Sequence, residues 1–270
     1  MDQFNPSIFT SVINSYLPEP HASLLNGILF GINLKTSKIF YEQLKVVGLL
    51  HIVVLSGINI TLLASLIAVL TSFLSKYLSS LITVLTIIIF VVFVGAKAPI
   101  VRAGLMGILT FVAFMTGRRK QIFFALFLSL IFIFMFWPEW FTTVSLQLSY
   151  GATLGIVLFG PKQQDQPSGF FTKIWNDLKK DFRISLAAQL FTVPIIFLYF
   201  KQISLIAPLS NLLISFTIAP IMVFGFITAI LGKINYSLGL IPSYICFGLL
   251  SYVVFVIETF SKIPFVYFKF

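Results

Sequence analysis

The sequence predicts an all-α, polytopic membrane protein of about eight spans, with at least one broken or re-entrant helix. Hydrophobic residues make up 59% of the 270 and charged residues 10%, and the mean hydropathy is +1.04. A soluble domain carries about 45–50% apolar and about 25% charged residues, so this chain cannot cover itself with a water-compatible surface. Its apolar residues run continuously for about 20 positions, the length of a spanning helix. The alternating segments of about ten residues that build a barrel are missing.

Residues 1–46 read as an outer, near-neutral segment with interfacial helices, 47–262 as the transmembrane domain and 263–270 as a short tail. The first twenty residues lack the basic start and continuous apolar core of a signal peptide. In "SIFTSVINSYL" the residues Ile8, Phe9, Val12, Ile13, Tyr16 and Leu17 repeat at helical spacing, as in a helix lying on a membrane. Spans are expected near 47–73, 78–95, 98–116, 121–137, 139–160, 184–200, 203–231 and 236–260. The third is interrupted by Arg102 and three glycines. The seventh is too long for one straight crossing and contains Pro208 and Pro220, each of which removes a backbone donor; a broken or re-entrant helix is expected there. Between the fifth and sixth, "SGFFTKIWNDLKKDFR" has the apolar spacing of a second surface helix, with lysines opposite.

The basic residues orient this scheme. Lys76, Arg118-Arg119-Lys120, the group from Lys162 to Arg183, and Lys233 fall on one side, which the positive-inside rule assigns to the cytoplasm. Both termini are then expected outside. The carboxylates map to loops or surfaces, with Glu258 near the outer end of the last span. A proton or sodium relay wants an acid in mid-membrane, so ion-coupled pumping is disfavoured. The single cysteine, Cys246, excludes an internal disulfide, and two histidines leave no metal cluster or cofactor to be expected.

Within "HIVVLSGINITLLASLIAVL" sit His51, Ser56, Gly57 and Asn59. A serine hydrolase would need its base within hydrogen-bond reach of the nucleophile. His51 and Ser56, five apart on one helix, point away from each other, and catalysis is disfavoured. Two readings of Ser56-Gly57 remain: close helix packing through small residues, or a helix break whose free backbone groups face a cavity. Arg102 likewise has two: snorkelling to headgroups, or a cation facing a wet interior and meeting an anion. Asn59, Gln147, Ser149, Gln189, Thr192 and Asn211 add uncharged polar groups at membrane depth. Together they describe an interior that is cationic and neutral-polar, suited to a polyanion.

These residues also carry a resemblance. "GLLHIVVLSGINITLLASL" resembles the signature of the ComEC-type competence channels, matching at Gly48, Leu49, His51, Ser56 and Gly57, with Asn59 where the family usually has a second histidine. In the same order follow Arg102-Ala103 and Met106 in "PIVRAGLMG", and Gln147-Leu148-Ser149 in "WFTTVSLQLSYGATLGI". Ala188, Gln189, Thr192 and Pro194 match next, then Asn211-Leu212-Leu213 and Pro220. The resemblance covers roughly residues 24 to 231 and implies a bacterial inner-membrane channel core for single-stranded DNA uptake in natural transformation. It implies a path lined by His51, Ser56, Gly57, Asn59, Arg102, Gln147, Ser149, Gln189, Thr192 and Asn211, with Arg102 as the phosphate contact.

Full-length members carry an OB-fold and a metallo-β-lactamase-like domain; neither is recognisable in these 270 residues. The partners implied are the lipid bilayer, single-stranded DNA, a DNA receptor, a separate OB-fold or nuclease protein and a cytoplasmic DNA translocase. The alternative reading is a permease or membrane enzyme on the same scaffold acting on another anionic substrate.

Overall fold

The helices follow the apolar runs. A computed structural model describes residues 6–32, 34–50, 57–95, 97–115, 122–161, 170–263 and 267–269. Two ten-residue helices, α1 (Ser7–Tyr16) and α2 (His21–Phe30), precede α3 (Lys38–Val47). Then come α4 (Gly57–Leu70), α5 (Lys76–Val94), α6 (Ala98–Met115), α7 (Ile122–Phe136) and α8 (Val144–Phe159). The chain continues through α9 (Phe170–Phe200), α10 (Ala207–Ile234) and α11 (Tyr236–Ser261). A short antiparallel ribbon pairs β1 (Gln202–Ser204) with β2 (Tyr267–Lys269), Ile203 opposite Phe268. Four helical stretches, Lys76–Val94, Leu178–Phe200, Ala207–Ile234 and Tyr236–Ser261, are long and apolar enough to cross a membrane; shorter apolar helices accompany them. Large apolar side chains such as Val92, Phe134 and Ile241 are exposed along these elements, as a lipid-facing surface requires. The chain is a helical, multi-pass membrane protein.

The described residues gather into two compact units. One lies within Met1–Thr36, His51–Phe141 and Ala219–Leu250, the other within Ser37–Leu50, Thr142–Ile218 and Ser251–Phe270. The first is organised around Ile60 and Leu63 of α4, Ile87 and Phe90 of α5, and Ile100 and Ala103 of α6, with Phe226 packed against them. Against this core sits the α1–α2 hairpin. Each arm rises about 15 Å, half the thickness of a bilayer core, so neither can cross it. Residues Ala22 to Phe30 of α2 are all buried. Phe9 and Phe30 stack near Phe93, and Tyr16 stacks on Tyr236 while its hydroxyl donates to the Tyr236 carbonyl at 2.6 Å.

Three details depart from the sequence reading. The seventh segment is not broken: α10 runs unbroken from Ala207 to Ile234. Pro208 occupies its first turn, where no intrahelical donor is needed, and Pro220 forfeits a single bond while keeping helical φ. The amphipathic stretch before the sixth span is no separate surface helix, since Phe170–Phe200 is one rod about 46 Å long. Nothing between Phe182 and Ile184 stops it, because no glycine, proline or cap intervenes. Finally, the first span does not begin at Val47. There α3 ends, and Gly48 closes it in the left-handed region at φ 74°. A Cβ at Gly48 would lie 2.5 Å from the Ala207 Cβ, so both the backbone angle and the close approach call for glycine.

Candidate functional site

The first unit holds Gly57, Asn59 and Arg102. A helix leaves its last carbonyls without intrahelical donors, and inside a membrane no water supplies them. Two side chains do so for α2. The buried Asn59 donates through Nδ2 to the Ile28 carbonyl at 2.7 Å, and Lys97 donates through Nζ to the Gly31 carbonyl at 2.8 Å. The position at which the ComEC-type pattern usually has histidine therefore ends a short buried helix. Arg102, on the second turn of α6, is 7% exposed, and its Nη1 lies 3.0 Å from the Met106 sulfur one turn along. A snorkelling arginine would be largely exposed at the rim of its helix; this one is enclosed.

The second unit holds Gln147, Ser149, Gln189, Thr192 and Asn211. Here α8 lies along α9 through Gly151 and Gly155, a small-xxx-small pattern that lets backbones approach. A Cβ on Gly155 would run into the Ala187 carbonyl, and one on Gly151 would come 3.2 Å from Ile195 Cδ1. Gln147 falls on this same stripe, four residues before Gly151, whereas Ser149 is turned about 200° from it and faces elsewhere. On α9, Ser185, Gln189 and Thr192 recur at i, i+4 and i+7 and form one polar stripe. Asn211 of α10 meets that stripe, its Nδ2 3.4 Å from the Ser185 hydroxyl. The Asn211 Oδ1 is buried with no hydrogen-bond partner among the described residues. Half-buried Gln189 and Thr192 have no side-chain hydrogen bond among those residues either. Three neighbouring polar groups thus keep hydrogen-bonding capacity at membrane depth, where an unmet group is costly.

Of the ten residues expected to line a path, the structure brings Gln189, Thr192 and Asn211 to one face, and sets Asn59 and Arg102 on helices sharing one apolar core. His51 and Ser56 lie outside the described residues, and Gly57 opens α4 at their edge, so the expected break at Ser56-Gly57 also falls there. Sequence reasoning passed over Lys97, Ser185 and the Gly151–Gly155 pair. The glycine spacing was a readable signal. The other two are polar residues whose partners come from distant segments. Passed over as well were Ser204 and Ser210, whose hydroxyls donate to the Val46 and Val47 carbonyls at 2.6 and 2.9 Å and finish α3 as Asn59 and Lys97 finish α2. Among the described residues no group of three or more His, Cys, Asp or Glu could hold a metal ion.

A multi-pass helical protein with an enclosed arginine and a neutral polar stripe is the class these features define. Residues 28–270 match the family described as Competence protein, and the chain belongs to that family. It is similar to ComE operon protein 3 of Bacillus subtilis (strain 168), with 24% identity over 209 residues, 76% of this chain. The match spans 26% of that relative's length. No solved structure matches.

Proposed function

We propose that this chain is the membrane part of a path by which single-stranded DNA enters a bacterial cell during transformation. Membership of the competence family supplies the setting. The enclosure of Arg102 within a membrane-spanning unit is the observation that carries the reading. An arginine held inside such a unit is a fixed cation in a low-dielectric surrounding, and the phosphate of a passing strand meets its planar fork bidentately. Arg102 is the phosphate contact. Gln189, Thr192 and Asn211 form neutral lining; Gln147 supports it from the α8–α9 seam, and Ser149 faces another side of α8. A path lined mainly by neutral donors and acceptors, with few cations, lets a polyanion move without being held. His51, Ser56 and Gly57 belong to the same lining, while Asn59 supports it from the end of α2. The role is transport rather than catalysis, and the chain works with a DNA receptor, an OB-fold or nuclease protein and a cytoplasmic translocase.

In this proposal both termini face outside and the turn with Lys233 faces the cytoplasm. Tyr16 touches Tyr236 where α11 begins, so the α1–α2 hairpin packs against that end of α11.

A strain deleted for its competence channel, supplied with this gene, tests the proposal through labelled DNA. Transfer of label into a nuclease-resistant cytoplasmic pool is expected when the other competence proteins are present. A chain that inserts normally yet restores no transfer, while moving another anion such as a lipid-linked phosphate, would replace the proposal by the permease reading.

A further inference from the structure

We infer that Lys97 is a second cationic contact of the path, binding a backbone phosphate of the strand by releasing the end of α2. This rests on the proposed function and adds to it a residue and a chemical step. Lys97 is fixed at the start of α6, where its carbonyl accepts from the amides of Ile100 and Val101 at 3.0 Å. Arg102 stands five residues further on, a rise of about 7.5 Å. The Lys97 side chain is exposed, and its ammonium meets the Gly31 carbonyl at 2.8 Å. Gly31 ends α2 at φ 61°, so the ammonium sits at the negative end of a short helix dipole. That is a partial charge only. Among the described residues no carboxylate pairs with Lys97.

A full positive charge that meets a neutral carbonyl and no carboxylate is incompletely compensated. Phosphate is the stronger acceptor, since charge-assisted hydrogen bonds are about twice as strong as neutral ones. Arrival of a strand therefore draws the ammonium from Gly31 to a phosphate oxygen. The α2 end gives up one of its two side-chain caps and keeps the other, from Asn59 to Ile28. A neutral cargo offers no such exchange.

The alternative is that Lys97 only caps α2, and Lys97→Gln separates the two roles because it keeps an N–H donor and removes the charge. The protein in nanodiscs of zwitterionic lipid is titrated with a fluorescent oligothymidine across a salt series. For single strands the slope of log affinity against log salt is shallower by about 0.7 for each phosphate that is no longer neutralised. Lys97→Gln should flatten the slope by that amount, so the drop in affinity between about 50 and about 200 mM salt shrinks by a factor of about 2.6. Lys97→Met should flatten it equally despite giving up the cap, and Lys97→Arg should keep the original slope. A slope unchanged in both neutral variants overturns this inference alone. No oligonucleotide binding by the unaltered protein would overturn the proposed function and this inference with it.

Discussion

The close approach of α8 to α9 gives a prediction whose size follows from two glycines. Replacing Gly155 with leucine puts a Cβ where the Ala187 carbonyl stands, and that obstacle is backbone, which cannot rotate away. The helices must part locally by roughly 1 Å, and a gap of that size forfeits a quarter to a half of the van der Waals attraction between facing atoms along the seam. Overpacking of this kind costs about 1–3 kcal/mol. Leucine's better helix propensity offsets up to about 1 kcal/mol of it. Any leucine replacing a helical glycine gains that propensity, so relative to a leucine control the loss of about 1–3 kcal/mol lowers the midpoint of a chain this size by roughly 2–12 °C. Gly248→Leu in α11 is the matched control, because nothing lies within 4 Å of the Cβ it would gain. The single thiol, Cys246, is fully buried and serves as the reporter: a thiol-reactive fluorophore lights up as the fold opens. Gly155→Leu should melt several degrees below Gly248→Leu in the same detergent. Equal midpoints for the two variants would refute the packing described for α8 and α9.

Asn59→Leu strips the Ile28 carbonyl of its donor inside a buried cluster. The loss should be about 0.6–2 kcal/mol in the same thermal assay, with Asn59→Gln recovering part of it; an unshifted midpoint for leucine would mean the cap is dispensable. Cysteines at Asn5 and Gly117, introduced in a Cys246→Ala background, should react with an impermeant thiol reagent from opposite sides of the membrane. Reaction from the same side would remove the proposed orientation. Gly48→Val must fail on both backbone angle and the approach to Ala207, and its yield of folded protein should fall well below that of Gly248→Val. Similar yields would show that the chain between α3 and α4 adapts.

Much of the helical layout is open to reading because a membrane makes hydropathy nearly decisive. The stretches at 78–95, 98–116, 121–137 and 236–260 correspond to α5, α6, α7 and α11 within about two residues, the usual uncertainty of helix ends. What could not be read depends on partners supplied by the fold. Prolines 208 and 220 look alike in sequence, yet one sits in a first turn and the other inside a helix held by its neighbours. The short helix α2 is apolar on nearly every face, a pattern shared by surface and buried segments; only its surroundings show that it is enclosed. Arg102 is legible in the sequence as a costly residue, but snorkelling and burial predict the same residue at the same place, and the choice needed its exposure. The polar stripe on α9 could have been found from the spacing of Ser185, Gln189 and Thr192, whereas its meeting with Asn211 joins residues 26 apart.

In the proposed function Arg102 meets the phosphates of a strand in transit. The direct measurement is the rate of labelled DNA transfer into cells carrying Arg102→Lys, Arg102→Met or the unaltered protein, with membrane levels and thermal midpoints matched. Most transfer should be lost with methionine, which fills the space without charge. Lysine should recover part of it, because it keeps the charge without the bidentate fork. Transfer by the methionine variant at the unaltered rate, with equal protein in the membrane, would rule out Arg102 as the phosphate contact.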